Sequence, residues 1–204
     1  PDPRDTVALL MSLPRLLAVR GNHDAALDAA PTSAMRPDIR HTLDWTREQL
    51  TAPQRRFLAE LPYIARDDAA LYVHASAQAP EGWEYVETPE QATRCLAAAD
   101  RPLVFIGHVH VPRVYYETPE GQMRELDPEP GVAIPISRAM RYVVNVGSVG
   151  QPRDGIPAAC YCLYDSDARE LRFFRVPYDH RSTARKLLAA GLPAAFARRL
   201  AQGR

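Results

Sequence analysis

The sequence predicts an α/β fold, two packed β-sheets with helices outside (α+β under some schemes), and three observations point that way. Helical and strand-like stretches alternate early, and strand follows strand from Val114 onward, the pattern of sheets covered by helices. Three short apolar runs, Leu16–Val19, Leu71–Val73 and Leu103–Ile106, have the length and composition of strands buried on both faces of a parallel sheet. Each run enters a polar cluster: Gly21-Asn22-His23-Asp24, then His74, then Gly107-His108-Val109-His110. Open α/β sheets bind ligands at the carboxyl ends of their strands. Three strands would therefore deliver imidazole to one rim, and four of the six histidines lie there.

The elements follow in order. Asp2 to Leu13 reads as a helix, with Pro3 in its first turn, Asp5 at its positive end and Val7, Leu10 and Met11 at helical spacing. Pro14 ends it, and Leu16–Val19 is the first expected strand. A polar loop runs to Pro37. Ile39 to Leu50 is a second helix, and Thr51 caps a third that carries Pro53 in its first turn. These helices serve as cover for a sheet or as a lid over a pocket. Tyr63–Arg66 and Ala70–Val73 flank Asp67-Asp68 as a hairpin. Ala75 to Val86 is a loop, and Thr88-Pro89-Glu90 opens a helix that runs to about Asp100. Val114–Tyr116 is a strand. Thr118–Pro130, rich in Pro, Gly and charge, is an exposed excursion. Arg141–Val146 is a strand, Ala158–Tyr164 and Leu171–Val176 form a hairpin, and Ser182–Leu200 is helical with a break at Gly191-Leu192-Pro193.

A chain of 204 residues is most simply one domain, residues 1–204, that buries about 70% of its unfolded surface. Its 25 basic and 25 acidic side chains cancel, which argues against nucleic acid as an obligate partner. No apolar run approaches the ~18–20 residues of a membrane span, and no signal-peptide pattern is present. Three cysteines, Cys95, Cys160 and Cys162, make no even disulfide framework or CxxC zinc pattern. Buried thiols in a reducing, cytoplasmic setting are the expectation. Composition leaves the oligomeric state open.

His108 and His110 lie two apart, so in extended backbone their side chains point the same way. Imidazole is the commonest side-chain ligand for transition metals. Gly107 leaves room for a metal or substrate to approach the backbone. Asn22 offers a neutral oxygen donor, although Asn after Gly is also an ordinary turn residue. His23, adjacent to Asn22, would face the other way in extended chain, toward substrate, where imidazole can protonate a leaving oxygen. Asp24 either hydrogen-bonds His23, fixing its tautomer and raising its pKa, or caps a helix over 25–30; both can hold. His74 falls at the equivalent strand end. His41 and His180 do not, and they read as surface residues. Arg153, in a Gly-rich loop, is the candidate substrate contact, with Trp83 and Tyr85 as weaker ones.

These stretches together resemble the calcineurin-like metallophosphoesterase superfamily, in particular its small bacterial members related to diadenosine tetraphosphatases and serine/threonine phosphatases. Asn145 to Arg153 is similar to the family's segment after its last ligand strand, and the resemblance covers nearly the whole chain. It implies an αββα sandwich and two divalent metal ions (Mn, Fe, Zn or Ni) bridging a water or hydroxide that attacks phosphorus. It implies a phosphate-ester substrate: phosphoprotein, cyclic nucleotide or dinucleoside polyphosphate. Carried over by motif, Asn22, His74 and His108 bind one metal and His110 helps bind the other. His23 stabilises the transition state and protonates the leaving group, supported by Asp24.

The family's two earlier motifs, Asp-x-His and Gly-Asp, are absent, and Pro1-Asp2-Pro3 resembles the segment just after the second. The resemblance therefore implies a further opening βα unit, roughly 30 residues, upstream of Pro1. The alternative is a catalytically silent protein-binding scaffold on the same fold.

Overall fold

A computed structural model describes residues 1–29 and 35–204. In chain order its elements are α1 (Pro3–Ser12), α2 (Asn22–Asp28), α3 (Pro37–Gln49), α4 (Ala52–Ala59), β1 (Ile64–Arg66) and β2 (Leu71–Val73). A 3₁₀ turn (Pro80–Gly82), α5 (Pro89–Ala97), β3 (Leu103–Ile106), β4 (Arg113–Glu117), β5 (Met123–Leu126) and β6 (Ala133–Pro135) follow. The chain continues through β7 (Arg141–Asn145), β8 (Ala158–Asp165), β9 (Glu170–Pro177), α6 (His180–Ala189) and α7 (Ala194–Gln202).

The first sheet has the order β1-β2-β3-β7-β4-β5, in which β2, β3 and β7 are parallel and the outer pairs antiparallel. The second, β6-β9-β8, is antiparallel. Strand β3 shows how the layers form. All four of its residues are buried. Successive side chains in a strand face opposite ways, so Val104 and Ile106 join the core under α5 while Leu103 and Phe105 join the core between the sheets. Strand β7 divides likewise, Val143 to the first core and Tyr142 and Val144 to the second. Cys160 and Cys162 also turn to the second core. A third cluster, Val7, Leu27, Leu43, Leu50 and Leu58, binds α1 to α4 together. Thr51 and Thr88 cap α4 and α5, each accepting from the Gln three residues on, whose side chain accepts the Thr N–H in return.

Four expectations need correcting. Leu16–Val19 is extended but joins no described ladder. Strand β2 has β1 on one side and β3 on the other, so its edges are taken. The run instead leaves Leu16 and Leu17 exposed, and Leu17 and Val19 line an open groove of about 850 Å³ floored by Tyr72, Phe105 and Val146. Second, the helix after Gly21 begins at Asn22, not Ala25; its expected end at residue 30 and the loop residues 31–34 lie outside the described residues. Third, Thr118–Pro130 contains β5, which pairs with β4 from Val114↔Leu126 to Glu117↔Met123. Fourth, β6 was not expected; it pairs with β9.

Candidate metal centre

Strand β2 ends at Val73 and β3 at Ile106, and the ladder continues one step further through Gly107 N–H to His74 O, 2.9 Å. That step sets His74 and His108 side by side. His74 Nε2 lies 3.0 Å from Asn22 Oδ1 and 3.2 Å from His108 Nδ1. Asn22 arrives from the opposite side, as the first residue of α2. The helix start is fixed by Asp24, whose Oδ2 accepts the Gly21 N–H at 2.8 Å. A side chain before Asn22 would crowd the cluster: a Cβ at Gly21 would stand 3.1 Å from the His74 ring and 3.2 Å from Asp24 Oδ2, so either neighbour would have to give by a few tenths of an ångström.

The route to this convergence differs from the expected one. His108 and His110 are not extended; both have left-handed backbone, φ 64° and 65°. Non-glycine residues in that region carry strain of order 1–3 kcal/mol and persist only where surroundings hold them. Here the surroundings are specific. A carbonyl can only accept, so His108 Nε2–H donates to Trp83 O (3.1 Å) and His110 Nδ1–H donates to Gln151 O (2.7 Å). His108 Nδ1 and His110 Nε2 are thereby left as lone-pair donors for a cation. Tyr85 stacks on His108 with ring centroids 4.2 Å apart, and Trp83 meets His74 edge-on. Trp83 and Tyr85 thus act on the imidazoles.

The loop after β7 closes the arrangement. Buried Asn145 donates to Gly107 O (2.9 Å) and accepts from Gly147 N–H (3.1 Å). Gly147 has φ 79°, and a Cβ there would come within 2.7 Å of Cys160 Sγ. Arg153 N–H donates to His110 O at 3.1 Å. The roles of Asn145, Gln151 and the Trp83 carbonyl were not anticipated. Backbone carbonyls have no sequence signature; Asn145, a lone amide ending an apolar strand, did offer a signal.

His23 and Asn22 also differ from expectation. They are successive residues of a helix, so they diverge by the helical turn: Asn22 reaches His74 while His23 stays exposed. Asp24 makes its hydrogen bond to Gly21 N–H rather than to His23 and acts on His23 through its charge. His41 is exposed and its Nε2 lies 3.2 Å from Gly191 O. His180 opens α6 beside Tyr178.

Burial holds the imidazoles neutral. It pushes His74 down to about 4, helped by His108, His110 and His23 nearby. His110 falls to about 4 through burial and the Arg153 charge, and His108 is lowered for the same reasons. His23 is lowered by burial of its inner side and by Arg153, against the pull of Asp24. Asp24 itself is raised, because burial outweighs the Gly21 hydrogen bond. Neutral imidazole is the form that binds metal.

The donors fit a cation. Ligand atoms ~2.0–2.1 Å from one metal stand roughly 3.0–3.4 Å from each other, and the separations about His74 Nε2 are 3.0 and 3.2 Å. Among the described residues no three His, Cys, Asp or Glu side chains cluster as a metal site by themselves; the third donor here is the amide oxygen of Asn22.

The model of the calcineurin-like phosphoesterase superfamily domain matches residues 2–169. The chain belongs to the calcineurin-like phosphoesterase superfamily. Membership supports a metal-dependent phosphoesterase role in general terms. The superfamily chain is 31% identical over 208 residues to the uncharacterized protein MJ0912 of Methanocaldococcus jannaschii, covering 100% of this chain and 82% of that one. Its structure resembles a metallophosphoesterase from Sphaerobacter thermophilus with a TM-score of 0.87 and 35% identity, over 99% of this chain and 82% of that one. A hypothetical protein, PH1004 of Pyrococcus horikoshii OT3, shares the fold at a TM-score of 0.76 and 18% identity, over 100% and 81% of the two chains. Two sheets flanked by helices are the architecture these neighbours share with it. No described helix is long and apolar enough to cross a membrane.

Proposed function

We propose that this chain, as one domain over residues 1–204, hydrolyses phosphate mono- or diesters using divalent metal ions. Asn22, His74 and His108 hold one ion and His110 contributes to a second. The observation that carries this reading is the meeting of Asn22 Oδ1 and His108 Nδ1 at one nitrogen of His74. Two imidazoles and an amide oxygen suit Mn, Fe, Ni or Zn better than the hard all-oxygen preference of Ca or Mg. When bound, the metal supplies positive charge against the phosphoryl oxygens and makes a water acidic enough to attack near neutral pH.

The chain's own groups do the rest. Arg153 places its guanidinium within electrostatic reach of His23, His108 and His110, and so draws the phosphate to that rim. His23 protonates the leaving oxygen. Its pKa is lowered in the free protein, and a phosphate dianion beside it favours the imidazolium. The proton therefore arrives with the substrate. Asp24 adds negative charge next to His23 and, through Gly21, sets where α2 begins. A cytoplasmic setting, with free thiols and no nucleic acid required, belongs to the same reading.

A second reading, the silent binding scaffold, is favoured by the neutrality of all three donors, which leaves a dication's charge uncompensated. Metal content after dialysis against Mn²⁺, with turnover of 4-nitrophenyl phosphate and bis(4-nitrophenyl) phosphate, separates the two. Metal-dependent turnover that falls in His108→Ala supports the enzyme. No retained metal and no turnover supports the scaffold.

A further inference from the structure

Residues 147–156, between β7 and β8, form no helix or strand, yet they hold His110. Gln151 O accepts from His110 Nδ1–H at 2.7 Å, and Arg153 N–H donates to His110 O at 3.1 Å. Ring and backbone of His110 are both tied to this loop, and Arg153 belongs to it. The loop tip, Val149 and Gly150, is exposed. Segments with few buried contacts open at little cost in free energy. The placement of His110 therefore depends on what anchors the loop on either side of its tip.

The first part is fixed from nearby. Cys160 N–H donates to Ser148 O at 2.9 Å, and Gln151 N–H donates to Ser148 Oγ at 3.0 Å. The second part is fixed by two elements outside the donor cluster. Asp154, next to Arg153, forms an ion pair with Arg175 of β9, and the two side chains are only 13% and 14% exposed. The same guanidinium donates to the carbonyl of Ala158, the first residue of β8, at 3.5 Å. Charge-assisted hydrogen bonds are roughly twice as strong as neutral ones, and burial protects this pair from salt. The second anchor is the end of α7, where Gly203 O accepts from Gly155 N–H at 2.9 Å. The two backbones are in close contact. Gly203 has φ 62°, and a Cβ there would stand 2.5 Å from Ile156 N.

We propose that Asp154, Arg175 and Gly203 are positioning residues for the site. They latch residues 154–156, so that Gln151 O holds the His110 ring with Nε2 free and Arg153 stays beside it. The latch stands on hydrogen bonds and packing alone, whereas its effect on a second metal ion rests on the phosphoesterase reading.

Two measurements on the full chain test it. Long-range proton–nitrogen NMR of the metal-free protein with labelled histidine, at neutral pH, reads the His110 tautomer. The wild type should show the Nδ1–H form that the bond to Gln151 O requires. Arg175→Met should shift His110 toward the Nε2–H form of an unrestrained imidazole and leave His108 unchanged. Calorimetric titration with Mn²⁺ should then find the first ion bound as in wild type and the second about 10-fold weaker. Arg175→Lys keeps a charge opposite Asp154 and should recover part of both signals. Gly203→Ala, a second variant should Arg175→Met misfold, forces Gly203 and Ile156 apart with the ion pair in place and should give the same changes. Arg172→Met, at an exposed position of the same strand, should change neither. An unaltered His110 tautomer and second-ion affinity in both Arg175→Met and Gly203→Ala overturns the inference and leaves the phosphoesterase reading intact. A wild type that retains no metal and turns over no ester overturns that reading, and the His110 tautomer still decides the latch.

Discussion

Asn22 and His108 meet at the same nitrogen of His74, but they are supported in different ways. His74 and His108 follow β2 and β3, strands paired on both sides inside the first sheet, and both rings are packed against aromatic side chains. Asn22 opens a short helix that follows Leu16–Val19, an extended run outside any described ladder, tied to the molecule by Arg20 N–H to Pro62 O at 2.8 Å. The sheet side holds its donors by hydrogen-bonded register and burial. The helix side holds its donor by the Asp24–Gly21 cap and by close steric contact. The donor cluster therefore has one rigid wall and one that is more easily shifted.

The largest expected effect tests the rigid wall. His108→Ala removes a donor, leaves Trp83 O unpaired and unstacks Tyr85. Metal retention should be lost and kcat/KM should fall at least ~100-fold, against ~10- to 100-fold for Asn22→Ala. Metal analysis and steady-state kinetics read both, and a larger loss in Asn22→Ala would reverse the comparison. Next comes Asn145→Leu, which strands Gly107 O and Gly147 N–H. A loss of about 2–3 kcal/mol in chemical denaturation is expected; a change below ~0.5 kcal/mol would mean that Asn145 does not hold the two loops.

Gly21→Ala probes the softer wall. Its Cβ presses on the His74 ring, so α2 must shift. Metal affinity should drop about tenfold by calorimetric titration, while the thermal midpoint moves little. An unchanged affinity would show that α2 yields without disturbing the donors.

The smallest effect lies at the hairpin that occupies the outer edge of β2. Burial pushes the Asp67 carboxyl up, but the Tyr72 hydroxyl and the Ala70 and Ala69 N–H groups outweigh it and hold Asp67 below its ordinary value. A depressed acid contributes stability above its unfolded pKa, about 3.9, and loses it as pH falls through the folded value. Asp67→Asn should lower the thermal midpoint slightly at neutral pH and flatten that part of the acid limb of a thermal-midpoint-versus-pH curve, with the two curves converging at the acid end. A curve superimposable on wild type would remove Asp67 from the account.

The same contrast explains what could be read from the sequence. Leu103–Ile106 and Leu71–Val73 were legible because fully buried parallel strands are continuous apolar runs, and Thr51-x-x-Gln54 and Thr88-x-x-Gln91 because capping boxes are local. Leu16–Val19 has the same apolar character, yet whether a run joins a ladder depends on which strands lie beside it, which composition does not encode. Strand β5, Met-Arg-Glu-Leu, has no apolar alternation, and its pairing with β4 decides its conformation. Strand β6 is three residues long and ends at Pro135. The cluster itself was legible as residue types at strand ends. Its geometry was not, because His108 and His110 have left-handed backbone and their rings are oriented by carbonyls of residues 83 and 151, distant in the chain.

The central claim is that Asn22 Oδ1, His74 Nε2 and His108 Nδ1 can serve one cation. X-ray absorption at the cobalt edge, on the full chain loaded with one Co²⁺, tests it most directly. The account predicts two imidazole shells with first-shell nitrogen and oxygen at ~2.0–2.1 Å, and one imidazole shell after His74→Ala. A spectrum without imidazole scattering, or one identical in wild type and His74→Ala, would contradict it.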